Sequence, residues 1–270
     1  MTTTTTDSSA ASTDDFAAEW AKWHHAREQA LGARGGWLSI NRLEWLDTEP
    51  GQFDGLPGSW WYEESIAHLA PGDGETFEPR DFELHPTGPG EVIDLDGHHI
   101  EVTRRGEGYL IRVHDDSAAT LRDFRGVPAY PAEPAWAIEA RFEPFAEPES
   151  VTVGAVAEGL AHVYVSPGVV VLQRNGAEHR LTAFNGKDGG LSVLFTDETS
   201  GVTTYAANRT LAIEASDQVI RDGGAVVLDF NRAVNLPCAF IDFATCPLPP
   251  AGNHLPFAVE AGEKIPYERG

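Results

Sequence analysis

The hydrophobic pattern along the chain changes period once. Over residues 13–31, Phe16, Trp20, Trp23 and Leu31 fall near one face at helical spacing. Thr13 or Asp14 can cap this segment, and Asp14, Asp15 and Glu19 suit its positive end. The pattern predicts an amphipathic helix whose aromatic stripe docks on the rest of the protein. Gly32, Gly35 and Gly36 end it. His24 and His25 lie beside that stripe, where packing is a commoner role than metal binding.

Beyond residue 36 the pattern shortens. Trp37–Ile40 and Leu43–Leu46 form a pair of apolar segments, and short strands follow, cut by Gly, Pro and Asp. β-branched and aromatic residues, or alternation, predict strands over 90–94, 98–104, 109–114 and 136–142. The same theme resumes over 151–156, 161–165, 169–174, 179–183, 191–195, 203–205 and 225–230. Asp96-Gly97, Arg105-Gly106 and above all Asn175-Gly176 are hairpin turn signals. Beyond Asn231 the chain is proline-rich and irregular until residues 256–260. No internal repeat recurs at a fixed period.

Many short strands with frequent turns predict a mainly β protein. Its expected form is an N-terminal helix followed by a sandwich- or barrel-like architecture of two packed β subdomains. The expected divisions are a disordered tail over 1–12, the helix over 13–36, and β subdomains over 37–146 and 147–270. The junction falls near Glu147-Pro148-Glu149, a stretch that an ordinary loop would explain equally well.

Composition narrows the function classes. Nineteen basic against 42 acidic residues give a formal charge of −23. Such a surface repels phosphate backbones and anionic membranes, so nucleic acid and membrane are not expected partners. No apolar run reaches the roughly 18–20 residues of a spanning helix. The Thr-rich start has neither a basic nor an apolar leader region, which predicts a cytoplasmic protein. Lysine is scarce beside arginine; salt adaptation and a GC-rich genome would both produce that bias.

The common catalytic motifs are absent: no Gly-x-Ser-x-Gly elbow, no phosphate loop, no His-Glu-x-x-His and no dinucleotide fingerprint. No cofactor is therefore expected. The densest chemical signal is the C-terminal stretch from Asp229 to Lys264, a strand running into a proline-stiffened loop studded with polar groups.

That stretch resembles the C-terminal signature of the bacterial and archaeal family known as domain of unknown function 1684. It carries Leu228-Asp229-Phe230-Asn231, Asn235-Leu236-Pro237-Cys238, Thr245-Cys246-Pro247 and Ala261-Gly262-Glu263-Lys264. The stretch from Phe195 to Gly201, then Thr204-Tyr205 and Arg209-Thr210-Leu211, is similar to the same family. So are Trp20, Arg27, Gly36-Trp37-Leu38-Ser39, Leu43 and Trp45-Leu46. Val234 and Leu236 stand where the family pattern has Tyr and Pro, and His254 where it has Arg. The resemblance implies a shared fold and transfers no reaction.

Asp229 and Asn231 would share one strand face, either tying down the following loop by hydrogen bonds or lining a pocket. Cys238 and Cys246 fit buried small hydrophobes, a disulfide or redox pair, or a thiolate activated by Lys264, Arg232 or His254. Zinc held by Cys238, Cys246 and His254 matches no known ligand spacing. Asp197, Tyr205 and Arg209 surround a hairpin, and an inward Arg209 in so acidic a chain is a natural anion anchor. Glu263-Lys264 is either a surface ion pair or folded back into the pocket.

Two readings result. The first is a small-molecule enzyme with acid–base or hydrolytic chemistry on Asp229, Cys238, Glu263 and Tyr205. In it, Arg209, Asn231, Asn235, Asp197 and Lys264 hold a small anionic ligand. The second is a non-catalytic ligand-binding or interaction module in which the signature locks the fold. No metal site is predicted.

Overall fold

The predicted helix forms as α1 (Thr13–Leu31) in a computed structural model that describes residues 13–269. The tail expected over 1–12 lies outside the described residues. Gly32 N–H donates to Glu28 O at 2.9 Å, and Gly35 turns the chain at φ 67°. The aromatic stripe docks as expected. Trp20 Nε1–H donates to the Asn231 carbonyl at 2.6 Å, and Leu31 is buried. His24 stacks on Trp20 with ring centroids 4.7 Å apart.

A 3-10 turn over Trp37–Ser39 leads into β1 (Ile40–Trp45). There follow β2 (Ser59–Glu63), β3 (Ile66–Ala70), β4 (Arg80–Glu83), β5 (Glu91–Leu95), β6 (His98–Arg105) and β7 (Gly108–His114). They form a four-stranded sheet in the order β1-β7-β6-β5 and a three-stranded sheet β2-β3-β4. One apolar cluster joins the two sheets, built on Trp60, Leu69, Phe82, Ile100, Val102 and Tyr109. The predicted strands β5, β6 and β7 are present, and Asp96 and Gly97 turn at φ 47° and 79° as a two-residue hairpin requires. The sequence reading missed β2–β4. Their hairpin turns at Glu64-Ser65, with Glu64 itself at positive φ, so no Gly or Asn marked it.

A short helix α2 (Ala119–Arg122) precedes the second half. There β8 (Ala137–Gly154), β9 (Ala161–Arg174), β10 (Ala177–Asn185) and β11 (Leu191–Asp197) run as an antiparallel meander into β12 (Arg209–Ile213). After α3 (Asp217–Asp222), β13 (Gly224–Asp229) pairs back on β8, and β14 (His254–Leu255) adds to β11. The strands predicted over 136–142 and 151–156 are the two ends of β8, and those over 161–165 and 169–174 are β9. Residues 146–149 lie inside β8, at its register shift between Pro144 and Glu149. Gly168 faces that shift, and a Cβ there would come within 2.3 Å of Glu143 O.

This sheet, in the order β12-β11-β10-β9-β8-β13, curls until β12 and β13 lie alongside each other without pairing. Phe142, Val170, Leu181, Phe195, Leu211 and Leu228 fill its concave side. Leu255, Phe257, Val259 and Ala261 join that core, so the irregular stretch does not end at 256–260 but continues as a plug in the curled sheet.

Two local expectations are corrected. Thr203–Tyr205 is not a strand: the N–H groups of Val202, Thr203 and Thr204 all donate to Thr199 O, and the chain winds into a turn. Asn231 does not share a strand face with Asp229. The strand ends at Asp229, whose carboxylate accepts from Asn231 N and Nδ2 at 3.2 and 2.8 Å and starts a 3-10 turn.

Candidate functional site

The Asp229–Lys264 stretch wraps the open side of the curled sheet, and its polar side chains bond to backbone. Asn231 Nδ2 donates to Glu133 O and its Oδ1 accepts from Glu133 N, both at 2.9 Å. Asn235 Nδ2 donates to Lys264 O at 2.8 Å. Asn253, also buried, pins Thr182 N, Thr182 O and Leu194 O.

Arg209 points inward, as expected of an anion anchor, and its anion is internal. Its Nη2 donates to Asp197 Oδ2 at 2.9 Å, with both side chains almost fully buried. Arg209 also donates to the carbonyls of Val259, Ala261 and Glu263. Asp197 Oδ1 accepts from Thr199 N, Thr199 Oγ1 and Val259 N. The buried pair thus ties the plug to the β11–β12 hairpin.

Glu263 is 1% exposed. It accepts from Asn235 N at 2.6 Å and from Arg27 Nε at 3.3 Å. Burial pushes its carboxyl up, against the pull of Arg27 and the Asn235 N–H. Lys264 turns away and places Nζ 4.2 Å from the centroid of Tyr130. Asp229 is partly exposed and faces Arg232 at 3.4 Å. Tyr205 Oη donates to Cys238 O at 2.9 Å, and burial, with Cys238 beside it, pushes the phenol up to about 12.

Cys238 and Cys246 are buried free thiols in contact, with Cys238 N donating to Cys246 Sγ at 3.3 Å. The hydrogen bond with Cys238, and burial, push the Cys246 thiol up, so it stays protonated. His254 lies away from both and reaches Thr196 and Glu198. Among the described residues no three His, Cys, Asp or Glu side chains cluster as metal ligands.

The family model described as "Protein of unknown function (DUF1684)" matches residues 122–264, more than half of the chain. The chain belongs to this family. A protein from gene locus rrnAC0354 of Haloarcula marismortui, described as uncharacterised and solved by solution NMR, is 31% identical to it. That match covers 55% of this chain and 80% of the other, with a TM-score of 0.46. No curated protein matches the chain.

The DUF1684 stretch walls two openings, and each takes its other wall from before residue 122. The larger is a groove of about 890 Å³ along the seam between β12 and β13. Trp23, Arg27 and Leu31, one face of α1, form one side. Thr210, Ala212 and Glu214 form another, and Val234–Pro237 and Trp37 close it. Arg232 lies over the Trp23 ring at 5.4 Å.

The edge of β12 faces this groove. Thr210 and Val234 exchange backbone hydrogen bonds at 2.9 Å on the side away from β11. Strand alternation turns the N–H and C=O of Ala212 to the same side. Neither group has a backbone partner among the described residues.

The smaller opening is a cavity of about 170 Å³ on the far side of Trp37, Leu236 and Pro237, which line both. Its polar lining is Arg105, Arg112, His162, Tyr164, Thr245 and Thr87. In the sequence no spacing links His162 to His114 or His179, and no motif marks either arginine. Arg105 on β6 and Arg112 on β7 meet His162 on β9 only through the fold. A buried arginine within an apolar strand, as in Tyr109–His114, was the one signal on offer.

Proposed function

We propose that this chain is a non-catalytic binding protein whose groove along β12 takes a short extended peptide or a peptide-like amphoteric molecule. The observation that carries this is the unpaired Ala212 edge set between opposite charges. Arg27 and Arg232 line the groove near Thr210 and Asn235, and Asp188 and Glu214 line it near the other end of β12. Thr210 to Glu214 spans about 13 Å at ~3.3 Å per residue, which matches about four extended residues.

A peptide running antiparallel to β12 would place its carboxylate at the arginines and its ammonium at the carboxylates. Its main chain would bond Ala212, as in strand addition. Arg27 Nη1 and both Nη atoms of Arg232 have no partner among the described residues, so donors remain. Trp23, Leu31, Val219 and Leu236 offer the apolar surface.

The signature serves as the lock that holds Val234–Pro237 in place. No catalytic role is proposed for Asp229, Cys238, Glu263 or Tyr205. The polar atoms of Asp229, Glu263 and Tyr205 are engaged by Asn231, Asn235, Arg27 and the Cys238 carbonyl, and Cys238 is buried with its backbone N–H on Cys246 Sγ, which supports a structural use. Binding of tetra-alanine, measured by calorimetry beside its N-acetylated, C-amidated form, tests the reading. The free peptide should bind and the blocked one should bind about tenfold or more weaker. Ala212→Pro removes the edge donor at a position where edge strands tolerate proline. Unchanged binding to that variant, or none to the unaltered protein, defeats the proposal.

A further inference from the structure

The cavity behind Trp37 has a charge imbalance that the groove does not share. Arg112, fully buried, is satisfied: Nε donates to Phe243 O at 2.9 Å, Nη1 to both Glu101 oxygens, and Nη2 to Thr245 Oγ1 at 3.3 Å. Its ion pair with Glu101 closes at 3.1 Å. Burial pushes Glu101 up, but His114, with Nε2 3.7 Å away, and the Arg112 guanidinium outweigh it, and the carboxyl lies below its ordinary range. Glu101 therefore neutralises Arg112.

Arg105 has no such partner. Its hydrogen bonds go to two backbone carbonyls, Gly88 O and Arg104 O, both from Nη1. No carboxylate is paired with it among the described residues. Burial, and then the like charge of Arg112, press its pKa down. Nε and Nη2 keep free N–H groups on an arginine that lines the cavity. Glu101 acts on Arg105 only from a distance, and a part-buried guanidinium with no carboxylate bonded to it keeps part of its desolvation cost.

Two other lining groups, Tyr164 and Thr245, complement an anion. Tyr164 packs its ring against His162 and Phe184, its hydroxyl has no hydrogen-bond partner among the described residues, and burial pushes its phenol up, so it remains an O–H donor. Thr245 carries a hydroxyl on the same wall. His162 Nε2 lies 2.8 Å from Thr245 O, and because a carbonyl only accepts, that nitrogen carries the proton. Trp37, Leu236, Pro237, Cys246 and Pro247 supply an apolar remainder. At ~30 Å³ per water, the space holds about five to six waters, too little for a drug-sized ligand.

We propose that this cavity is a binding site for the carboxylate of a small aliphatic acid, gripped by Nε and Nη2 of Arg105 with Tyr164 as a further donor and the alkyl group against Trp37 and Pro237. The paired guanidinium donors match a carboxylate fork, and the apolar half of the lining favours an organic acid over phosphate. The proposal does not rest on the peptide groove, with which the cavity shares only the wall of Trp37, Leu236 and Pro237.

The test titrates the full chain with butyrate, and separately with inorganic phosphate, at constant ionic strength in chloride, following ligand NMR line broadening. Butyrate should bind saturably at one site. Arg105→Gln should weaken it about tenfold or more, the usual worth of a charge-assisted bond. Arg232→Gln, in the groove, should leave it unchanged. Tyr164→Phe, which keeps the ring packing, should weaken it by a smaller factor and serves if Arg105→Gln does not fold. The proposal is overturned by no saturable butyrate binding, by equal binding to Arg105→Gln or (where that variant does not fold) to Tyr164→Phe, by loss with Arg232→Gln, or by phosphate binding as tightly as butyrate.

Discussion

Asp197→Ala is the sharpest test of how the signature holds the fold. Asp197 and Arg209 are 2% and 1% exposed and meet at 2.9 Å. Removing the carboxylate leaves the guanidinium charged in the core and strips the acceptor from Thr199 N and Val259 N. Breaking a buried pair from one side costs about 3–5 kcal/mol, against a total stability of roughly 5–15 kcal/mol. At about 2–4 °C per kcal/mol for a chain of this size, the midpoint should fall by roughly 6–20 °C. Urea unfolding gives the free energy directly, and an unchanged slope would show that the denatured state is not altered. Arg209→Met should cost a similar amount. The double variant should be less damaged than the sum by roughly 0.5–3 kcal/mol, because neither charge is then stranded. Costs below about 1 kcal/mol, or strictly additive costs, would refute the reasoning.

Three further outcomes are expected. Gly262 sits at φ 76°, and a Cβ there would lie 2.5 Å from Ala233 O, so Gly262→Ala should cost about 1–3 kcal/mol in urea unfolding with an unchanged far-UV spectrum. Asn253→Ala strands two carbonyls and one N–H and should cost about 2–4 kcal/mol; a loss under half of that would mean water replaces the amide. Burial holds the His162 pKa below 6.5. Its contribution is therefore present above about pH 6.5 and lost as pH falls through the folded-state value, by up to ~1.4 kcal/mol per pH unit. The stability advantage over His162→Gln should shrink between pH 7 and 5, and a constant difference would contradict the assignment.

The fold was legible where local chemistry and final structure agree. Asn175-Gly176 turns at φ 53° and 76° as a two-residue hairpin needs, and α1 keeps the Thr13–Leu31 bounds its stripe implies. It was illegible where one strand carries two environments. β8 and β9 each read as two segments because a shifted register interrupts the alternation between Pro144 and Glu149. β2 and β3 hid because Glu64, not glycine, takes the positive φ.

For the site, sequence pointed to the Asp229–Lys264 stretch and left the use of its side chains open. Asp197, Arg209, Asn231 and Glu263 stand out because buried backbone needs specific polar partners. A pocket would ask for the same residue types. Arg105 and Arg112 escaped notice because their significance depends on Glu101 pairing with one and no carboxylate pairing with the other, which only the β6–β7 register and the Phe243–Thr245 loop decide.

The plug has a consequence for biosynthesis. Leu255, Phe257, Val259 and Ala261 leave the ribosome after strands β8 to β13 of the curled sheet that they fill. The sheets built from residues 40–114 can close their own cluster early. The second half must wait with its concave apolar face uncovered until the Arg209–Asp197 pair can recruit the arriving segment. A translational pause just before codon 255 would thus prolong exposure of that face, and chaperone demand should follow the pause rather than the length of the chain.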